Sequence, residues 1–342
     1  MKKLRVGING FGRIGRAFLK ISWEREELEV VAVNDLGDIA NMAYLLKYDT
    51  VYRGWNHDIK VEGDSLVIDG RAVKVLAQKD PSLLPWKDLN VDVVVESTGL
   101  FTNYEKAKVH LDAGAKKVVI SAPAKGEGDV KGETILLGVN EEKFGTCDIT
   151  SNASCTTNAA SPLIAILDEV LGVEKAILNT VHGYTASQAL VDGPSKKDMR
   201  EGRAAAQNIV PSSTGAAIAV TKAFPRLEGL FDGISIRVPV PAGSIVDITF
   251  IAKRATTAEE VNDVLKKAAL DSHWAKLFSV TEEPLVSSDI LGSPYGCIAD
   301  LKMTRVVGGN LVKVVGWYDN EMGYTHTLVD HVIKTGETIK QT

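Results

Sequence analysis

The sequence has few cysteines, no excess of basic residues and no long hydrophobic run. Only three of its 342 residues are cysteines, and their spacing fits neither a disulfide framework nor a zinc site. Its 39 Lys and Arg are outnumbered by 44 Asp and Glu, which leaves no bulk positive field for nucleic acid or an anionic membrane. No apolar run reaches the roughly 18 residues that span a bilayer. We therefore expect no metal, no nucleic acid and no membrane among the partners.

Length and composition predict an ordinary globular protein of two domains. The chain is 45% apolar and 24% charged, values typical of globular proteins, and at about 150 residues per domain its length favours two domains. The first residues, MKKLR, lead directly into a glycine-rich segment without the apolar stretch of a secretory signal. These features predict a cytoplasmic location.

The first half alternates strand and helix patterns, which is typical of an α/β domain with a parallel, Rossmann-type sheet. Around the turn Asp69-Gly70, two short strand-like segments within 60–75 predict a small antiparallel addition. The strand patterns lie at 4–9, 28–34, 91–97 and 117–121, and helical patterns lie at 13–23 and 104–113.

Longer strand patterns with fewer intervening helices fill the second half, which predicts a mixed or antiparallel sheet in a second, α+β domain. We place the seam between the domains at 151–155, so the predicted first domain is 1–153 and the second begins at 154. Strand patterns lie at 175–184, 233–240, 245–252 and 311–317, with helices at 215–223 and 258–269.

The segment GFGRIG fits G-x-G-x-x-G between a predicted strand and a predicted helix. The pattern requires a tight turn at its first glycine, close approach to a pyrophosphate at its second and helix packing at its third. Asp35 follows the second strand at the distance expected for a carboxylate on the adenosine ribose, which favours NAD over NADP. The cofactor-binding candidates are Gly10, Gly12, Arg13, Ile14, Gly15 and Asp35.

Cys155 lies among small polar residues, in SNASCTTN, just before an apolar helical pattern. Amides at a helix start and a nearby imidazole would both favour its reactive thiolate. The alternative is a small buried core residue, as most lone cysteines are. Pro162 leaves the helix start open, because a start at Cys155 puts the proline inside the helix and a later start moves the helix dipole away from the thiol.

The sequence resembles the phosphorylating glyceraldehyde-3-phosphate dehydrogenases over nearly its whole length. The shared motifs are GINGFGRIGR, NDL, ESTG, SAP, SNASCTTN, VHGYT, DGPSKKD, STGAA, RVPVP and WYDNEMGY. The resemblance implies NAD-dependent oxidation of glyceraldehyde 3-phosphate to an acyl phosphate in glycolysis or gluconeogenesis, by a homotetramer. It assigns Cys155 as the nucleophile and His182 as its imidazole partner, with hemithioacetal and thioester intermediates.

The same resemblance implies that a C-terminal helix at 320–342 returns to the NAD-binding domain 1–153 and that 154–319 is the catalytic domain, and it assigns the remaining site residues. Thr185 and Arg237 would bind the substrate phosphate, and Ser154, Thr156, Thr214 and Gly215 the attacking inorganic phosphate. Thr98, Gly99, Ser121 and Asn320 would lie beside NAD. Singly, the Ser and Thr residues could be ordinary turns or caps, Arg237 an ion pair, and Asn320 the N-cap of the last helix.

Two other functions remain open at this point. A related erythrose-4-phosphate dehydrogenase would use water as acceptor, and a non-catalytic dinucleotide-binding regulator would need neither Cys155 nor His182. The chain also departs from the family at Ala159, where a second cysteine is common, and at Gln78-Lys79, in the segment that approaches adenine. Neither departure removes a group that the chemistry needs.

Overall fold

The computed structural model describes residues 3–126, 128–195 and 198–339. Within this part, the chain divides into two compact units. The first comprises the chain up to Ile135, Glu141–Ala153 and the segment from Thr325 onward, and the second comprises Leu136–Asn140 and Ser154–Tyr324. The division after Ala153 lies within the seam predicted from the sequence, whereas the return to the first unit begins later than residue 320.

The first unit contains eleven strands and four helices among the described residues, and α8 (Met322–Glu337) continues into it. The helices are α1 Arg13–Trp23, α2 Ile39–Lys47, α3 Tyr104–Ala107 and α4 Val109–Asp112. The strands are β1 Leu4–Asn9, β2 Leu28–Asn34, β3 Tyr48–Asp49, β4 Arg53–Gly54, β5 Ile59–Glu62, β6 Ser65–Ile68, β7 Arg71–Leu76, β8 Val93–Glu96, β9 Lys117–Ile120, β10 Gly132–Thr134 and β11 Ile149–Ser151.

Nine of these strands form one sheet in the order β10-β11-β9-β8-β1-β2-β7-β6-β5. The pairs from β10 to β7 are all parallel, and β5, β6 and β7 pair antiparallel. Strands β8 and β9 are fully buried runs, as expected where helices cover both faces. The Rossmann-type sheet and its antiparallel addition are therefore confirmed.

The second unit is built on a mixed sheet with the order β13-β14-β12-β15-β19-β17-β16, with β18 paired to β19. Its two parallel pairs are β12 with β14 and β16 with β17. This confirms the predicted α+β class. The strands are β12 Val173–Gly183, β13 Val210–Ser213, β14 Phe231–Val238, β15 Ser244–Ala252, β16 Phe278–Thr281, β17 Cys297–Asp300, β18 Arg305–Val307 and β19 Leu311–Tyr318, and the helices are α5 Cys155–Leu171, α6 Ala216–Ala223 and α7 Ala258–Leu270.

Helix α5 contacts strands β12, β15 and β19 of the mixed sheet, as well as α6 and α7. Twelve of its seventeen residues are buried, so hydrophobic burial fixes the helix and thereby the position of its first residue. None of the helices in the described ranges is both long and apolar enough to cross a membrane.

Candidate active site

The thiol of Cys155 lies at the N-terminus of α5. Ser154 is the N-cap, and its Oγ accepts a hydrogen bond from the Thr157 N–H at 3.1 Å. The helix therefore starts at the cysteine and contains Pro162, which settles the question that the sequence left open. Of the three free cysteines, Cys147 and Cys297 are buried and Cys155 is partly exposed. Its partial exposure makes Cys155, of these three, the thiol that a substrate can reach.

Strands β12 and β14 bring an imidazole and a guanidinium to this thiol. Their parallel register pairs His182 with Arg237. The His182 Nε2 lies 3.3 Å from the Cys155 Sγ, and its Nδ1 lies 2.6 Å from both the Gly183 carbonyl oxygen and an Arg237 Nη1. When Nδ1–H donates to the carbonyl, Nε2 can accept the thiol proton; when Nδ1 accepts from Arg237, Nε2–H becomes a donor.

The electrostatics of the pair differ from the expectation of a ready-formed thiolate. Burial raises the pKa of the Cys155 thiol, although Arg237 and hydrogen bonds from Thr156 oppose that effect. Burial and the Arg237 charge together lower the pKa of His182 to about 3. The expected lowered thiol pKa is therefore wrong for this arrangement, because desolvation outweighs the helix amides. The His182 Nε2, at 3.3 Å, is the group placed to accept the thiol proton.

Tyr318, which was not among the residues predicted from the sequence, connects helix α5 and strand β12 by hydrogen bonds. The Tyr318 hydroxyl lies 2.9 Å from the Thr156 Oγ1 and 2.7 Å from the Thr180 Oγ1, and its ring meets the His182 ring edge-on at 5.9 Å. Thr156 follows the thiol in sequence, and Thr180 lies two residues before the imidazole, on the same face of β12. Two features of the sequence could have indicated this bridge: the WYDNEMGY motif, which contains Tyr318, and the alternation of side chains along β12, which places Thr180 on the same face as His182.

The predicted phosphate-binding residues all belong to the second unit. Arg237 has a buried Nε that lacks a hydrogen-bond partner, so its guanidinium retains a donor for an anion. Gly215 is the N-cap of α6 and offers backbone amides, and the Thr214 Oγ1 accepts from the Ala216 N–H at 3.1 Å. Thr185 is partly exposed, and its Oγ1 lies 3.0 Å from the Ser187 Oγ.

The hydroxyls of Ser154 and Thr156, like those of Thr185 and Thr214, already have hydrogen-bond partners within the protein. The Ser154 hydroxyl caps α5 and lies 2.7 Å from the Thr157 Oγ1. The Thr156 hydroxyl is buried against Tyr318. The interpretation of Ser154 as an ordinary cap is thus correct as far as it goes, and the phosphate roles of both residues stay predictions.

Asn320 is buried in the second unit, where its Oδ1 accepts from the Gly243 N–H at 3.0 Å and the Ser244 hydroxyl at 2.9 Å. Both bonds end on the oxygen, which fixes the orientation of the carboxamide. The alternative of an N-cap is wrong, because Asp319 Oδ1 accepts the N–H groups of Glu321 and Met322 at the start of α8. The role of Asn320 toward nicotinamide stays a prediction.

The glycine loop of the first unit has the geometry that a dinucleotide needs. Gly10 has a φ of +96°, and a Cβ on Gly15 would lie 2.1 Å from the Gly10 carbonyl oxygen. Around Gly12, by contrast, a Cβ would meet no atom within 4 Å, and no side chain caps α1 there. The open space and the amides at this helix start form a cradle that fits a pyrophosphate.

The other predicted cofactor residues surround this loop or the neighbouring strand ends. Asp35 accepts the Phe11 N–H at 2.7 Å and the Gly37 N–H at 3.0 Å, so its carboxylate is fixed directly after β2. Arg13 pairs with Asp49 at 2.9 Å, which the sequence did not anticipate. Ile14 is partly exposed in the first turn of α1. These positions fit an NAD site.

Thr98, Gly99 and Ser121 follow the carboxyl ends of β8 and β9, where open α/β sheets bind ligands. Gly99 is exposed, with a φ of +74°. The Thr98 hydroxyl donates to Glu96, and the Ser121 hydroxyl donates to the Glu96 carbonyl oxygen at 3.0 Å. The structure thus places all three at the same edge of the sheet as Gly10 and Asp35.

Two family models match the chain. Residues 4–104 match the NAD binding domain of glyceraldehyde 3-phosphate dehydrogenase, and residues 154–320 match its C-terminal domain. These ranges cover most of both units.

Curated relatives are similar over nearly the full length. A glyceraldehyde-3-phosphate dehydrogenase 2 of Streptomyces avermitilis is 48% identical over 339 residues, covering 98% of this chain and 99% of the relative. The enzyme of Mycobacterium avium is also 48% identical, with the same coverage. Glyceraldehyde-3-phosphate dehydrogenase B of Aspergillus oryzae is 46% identical over 95% of this chain and 96% of its own. The chain therefore belongs to the glyceraldehyde-3-phosphate dehydrogenase family.

Proposed function

We propose that this protein oxidises D-glyceraldehyde 3-phosphate with NAD and inorganic phosphate to 1,3-bisphosphoglycerate, in glycolysis or gluconeogenesis. The observation that carries the proposal is the 3.3 Å approach of the Cys155 Sγ to the His182 Nε2, with the Arg237 guanidinium beside the same imidazole. A nucleophile, a base and an anion-binding group are thus adjacent.

The first step is addition of the thiol to the aldehyde. The Cys155 proton passes to the His182 Nε2 while Nδ1–H donates to the Gly183 carbonyl oxygen. The sulfur forms a bond to the aldehyde carbon, and the aldehyde oxygen receives the proton from the His182 Nε2. The product is a hemithioacetal, and the imidazole is neutral again. Arg237 and Thr185 would hold the substrate phosphate during this step.

Oxidation of the hemithioacetal follows. His182 removes the hydroxyl proton as the carbon loses hydride, so the carbon–oxygen bond becomes a carbonyl and a thioester forms on Cys155. Bound NAD supplies the hydride acceptor. Asn320, held through its Oδ1, would orient the nicotinamide carboxamide. The imidazolium then releases its proton.

Phosphate completes the reaction. An oxygen of inorganic phosphate attacks the thioester carbon, the carbon–sulfur bond breaks and the acyl phosphate leaves. The proton that the attacking phosphate hydroxyl loses passes through the His182 Nε2 to the departing thiolate of Cys155. Amides at Gly215 and hydroxyls of Thr214, Ser154 and Thr156 would bind the attacking phosphate.

The decisive assay compares NADH formation from glyceraldehyde 3-phosphate and from erythrose 4-phosphate, each with and without phosphate. We expect phosphate-dependent turnover with the three-carbon sugar. Faster, phosphate-independent turnover of erythrose 4-phosphate would instead assign the alternative dehydrogenase. Binding of NAD without turnover of either sugar would favour the non-catalytic regulator.

We also propose that the protein assembles as a homotetramer. One face of the mixed sheet packs under α5, whereas the opposite face presents Ile177, 61% exposed, and Ile234, 52% exposed. The registers of β12, β14 and β15 place these two residues on the same face as Thr249. Two large exposed apolar side chains on a sheet face that also carries polar residues favour a subunit interface there. Light scattering would give the oligomeric state.

The cytoplasmic location stays a prediction.

A further inference from the structure

Three strands of the first unit end in polar residues that are neighbours across the sheet. The parallel registers pair Asn9 with Asn34 and Asn9 with Glu96, the last residues of β1, β2 and β8. All three are buried, with at most 5% of their surface exposed. Predicted cofactor-binding residues follow each of them: Gly10 after Asn9, Asp35 after Asn34, and Thr98 two residues after Glu96.

These side chains form one hydrogen-bonded chain with a fixed direction. The backbone N–H of Gln78 donates to the Asn34 Oδ1 at 2.8 Å, which leaves the Asn34 Nδ2 to donate to the Asn9 Oδ1 at 2.7 Å. The Asn9 Nδ2 then donates to the Glu96 Oε2 at 2.7 Å. Because a backbone N–H can only donate, it sets the orientation of both amides.

The orientation of the hydrogen-bond network is fixed in the same way at its other end, around Glu96. The Trp86 Nε1–H donates to the His110 Nδ1 at 3.2 Å, so Nδ1 acts as the acceptor and Nε2 carries a ring proton. That nitrogen donates to the Glu96 Oε2 at 2.9 Å. The Glu96 Oε1 accepts both the backbone N–H and the hydroxyl of Thr98. Every donor around Glu96 therefore points at its carboxylate, which accepts four hydrogen bonds.

We propose that Glu96 is a positioning residue for NAD binding, which holds the Thr98-Gly99 segment and, through Asn9 and Asn34, the glycine loop and the Asp35 segment in one arrangement. The inference rests on the proposed use of NAD. Glu96 itself is buried behind these segments and contacts them rather than solvent. The network makes the separate loops at three strand ends a single, preorganised site.

The test is a titration of NAD into the purified full chain and its Glu96→Gln variant. Glutamine has the same size but one acceptor oxygen instead of two, so at least two buried donors lose their acceptor. We expect the Kd for NAD to rise about tenfold, together with the KM for NAD, whereas kcat at saturating NAD changes less than about twofold. This split would not follow from a general loss of stability.

Trp86→Phe is the matched control, because it removes the hydrogen bond at the end of the network that reaches no cofactor segment. It should lower the melting temperature and leave the Kd for NAD unchanged. If Glu96→Gln also lowers only the melting temperature, the positioning role is refuted and the network is merely structural.

Asn34→Ala provides an independent readout without NAD, and it serves if Glu96→Gln does not fold. This change removes the Asn34 link of the hydrogen-bond network, on the side away from Thr98. We nevertheless expect faster amide hydrogen exchange at 97–100 as well as at 9–12. Unchanged exchange at 97–100 would overturn the proposed coupling. Failure of the unaltered protein to bind NAD would instead count against the proposed function, since the exchange experiment does not depend on it.

Discussion

Replacing Tyr318 by phenylalanine tests whether the hydroxyl bridge aligns the thiol and the imidazole. The change removes one oxygen that bonds the Thr156 and Thr180 hydroxyls at 2.9 and 2.7 Å and leaves the ring against His182. Thr180 retains a bond to the Ile245 carbonyl oxygen at 3.2 Å, so the main loss falls on Thr156, next to Cys155.

The expected magnitude follows from these contacts. Two hydrogen bonds of about 1 kcal/mol each, one of them partly replaced, give a destabilisation of about 1–2 kcal/mol. For a unit of this size, that corresponds to a fall of about 2–8 °C in the melting temperature. A loosened start of α5 should also lower kcat about tenfold, because small misplacements of reacting groups are costly.

The measurements are thermal unfolding, steady-state kinetics and the rate of Cys155 alkylation by iodoacetamide as a function of pH. Thr180→Val is the control, since it removes the partner on β12 and keeps the bond of Tyr318 to Thr156, the residue next to Cys155. The reasoning is refuted if Tyr318→Phe melts at a lower temperature but retains the kcat and alkylation profile of the unaltered protein.

Three further predictions concern the cofactor loop and acid stability. Gly15→Ala should destabilise the protein and abolish NAD binding because its Cβ would meet the Gly10 carbonyl oxygen, whereas Gly12→Ala, with open space around the Cβ, should melt like the unaltered protein and lose only NAD affinity; equal melting temperatures of the two variants would contradict this. Asp35→Gly should weaken NAD and relatively favour NADP, as measured by the ratio of kcat/KM values, and an unchanged ratio would exclude the ribose role. Burial lowers the pKa of His331 to about 3, against about 6.5 when unfolded, so the unfolded chain binds the extra proton and stability falls as pH drops from 6.5 toward 3. Between pH 7 and pH 5 the unaltered protein should therefore lose about 2 kcal/mol more than His331→Gln in urea unfolding, and parallel losses would show that this imidazole is not responsible.

Local patterns sufficed to predict the elements that carry the site. The glycine spacing after an apolar strand predicted both the turn at Gly10 and the packing at Gly15, because these requirements arise within one strand, turn and helix. The alternation of strands and helices likewise predicted the parallel sheet. Such features depend on residues that are close in sequence, where periodicity and turn chemistry are informative.

Contacts between distant residues could not be predicted in this way. Asn9 and Glu96 are 87 residues apart, and Tyr318 is 162 residues from Thr156, so their hydrogen bonds depend on strand register and packing. The sign of the Cys155 pKa shift could not be predicted from the sequence either, because it depends on how far burial outweighs the helix amides and Arg237. Asp319, rather than Asn320, caps the start of α8, which likewise depends on side-chain contacts that the sequence does not reveal.

The central claim is that Cys155 forms a covalent thioester with the substrate. Incubation with glyceraldehyde 3-phosphate and NAD in the absence of phosphate, followed by rapid acid quenching and peptide mass spectrometry, tests it directly. The account predicts one acyl group per chain, located on Cys155 and released as acyl phosphate when phosphate is added before the quench. An acyl group on Cys147 or Cys297, or NADH formed without any acylated cysteine, would contradict it.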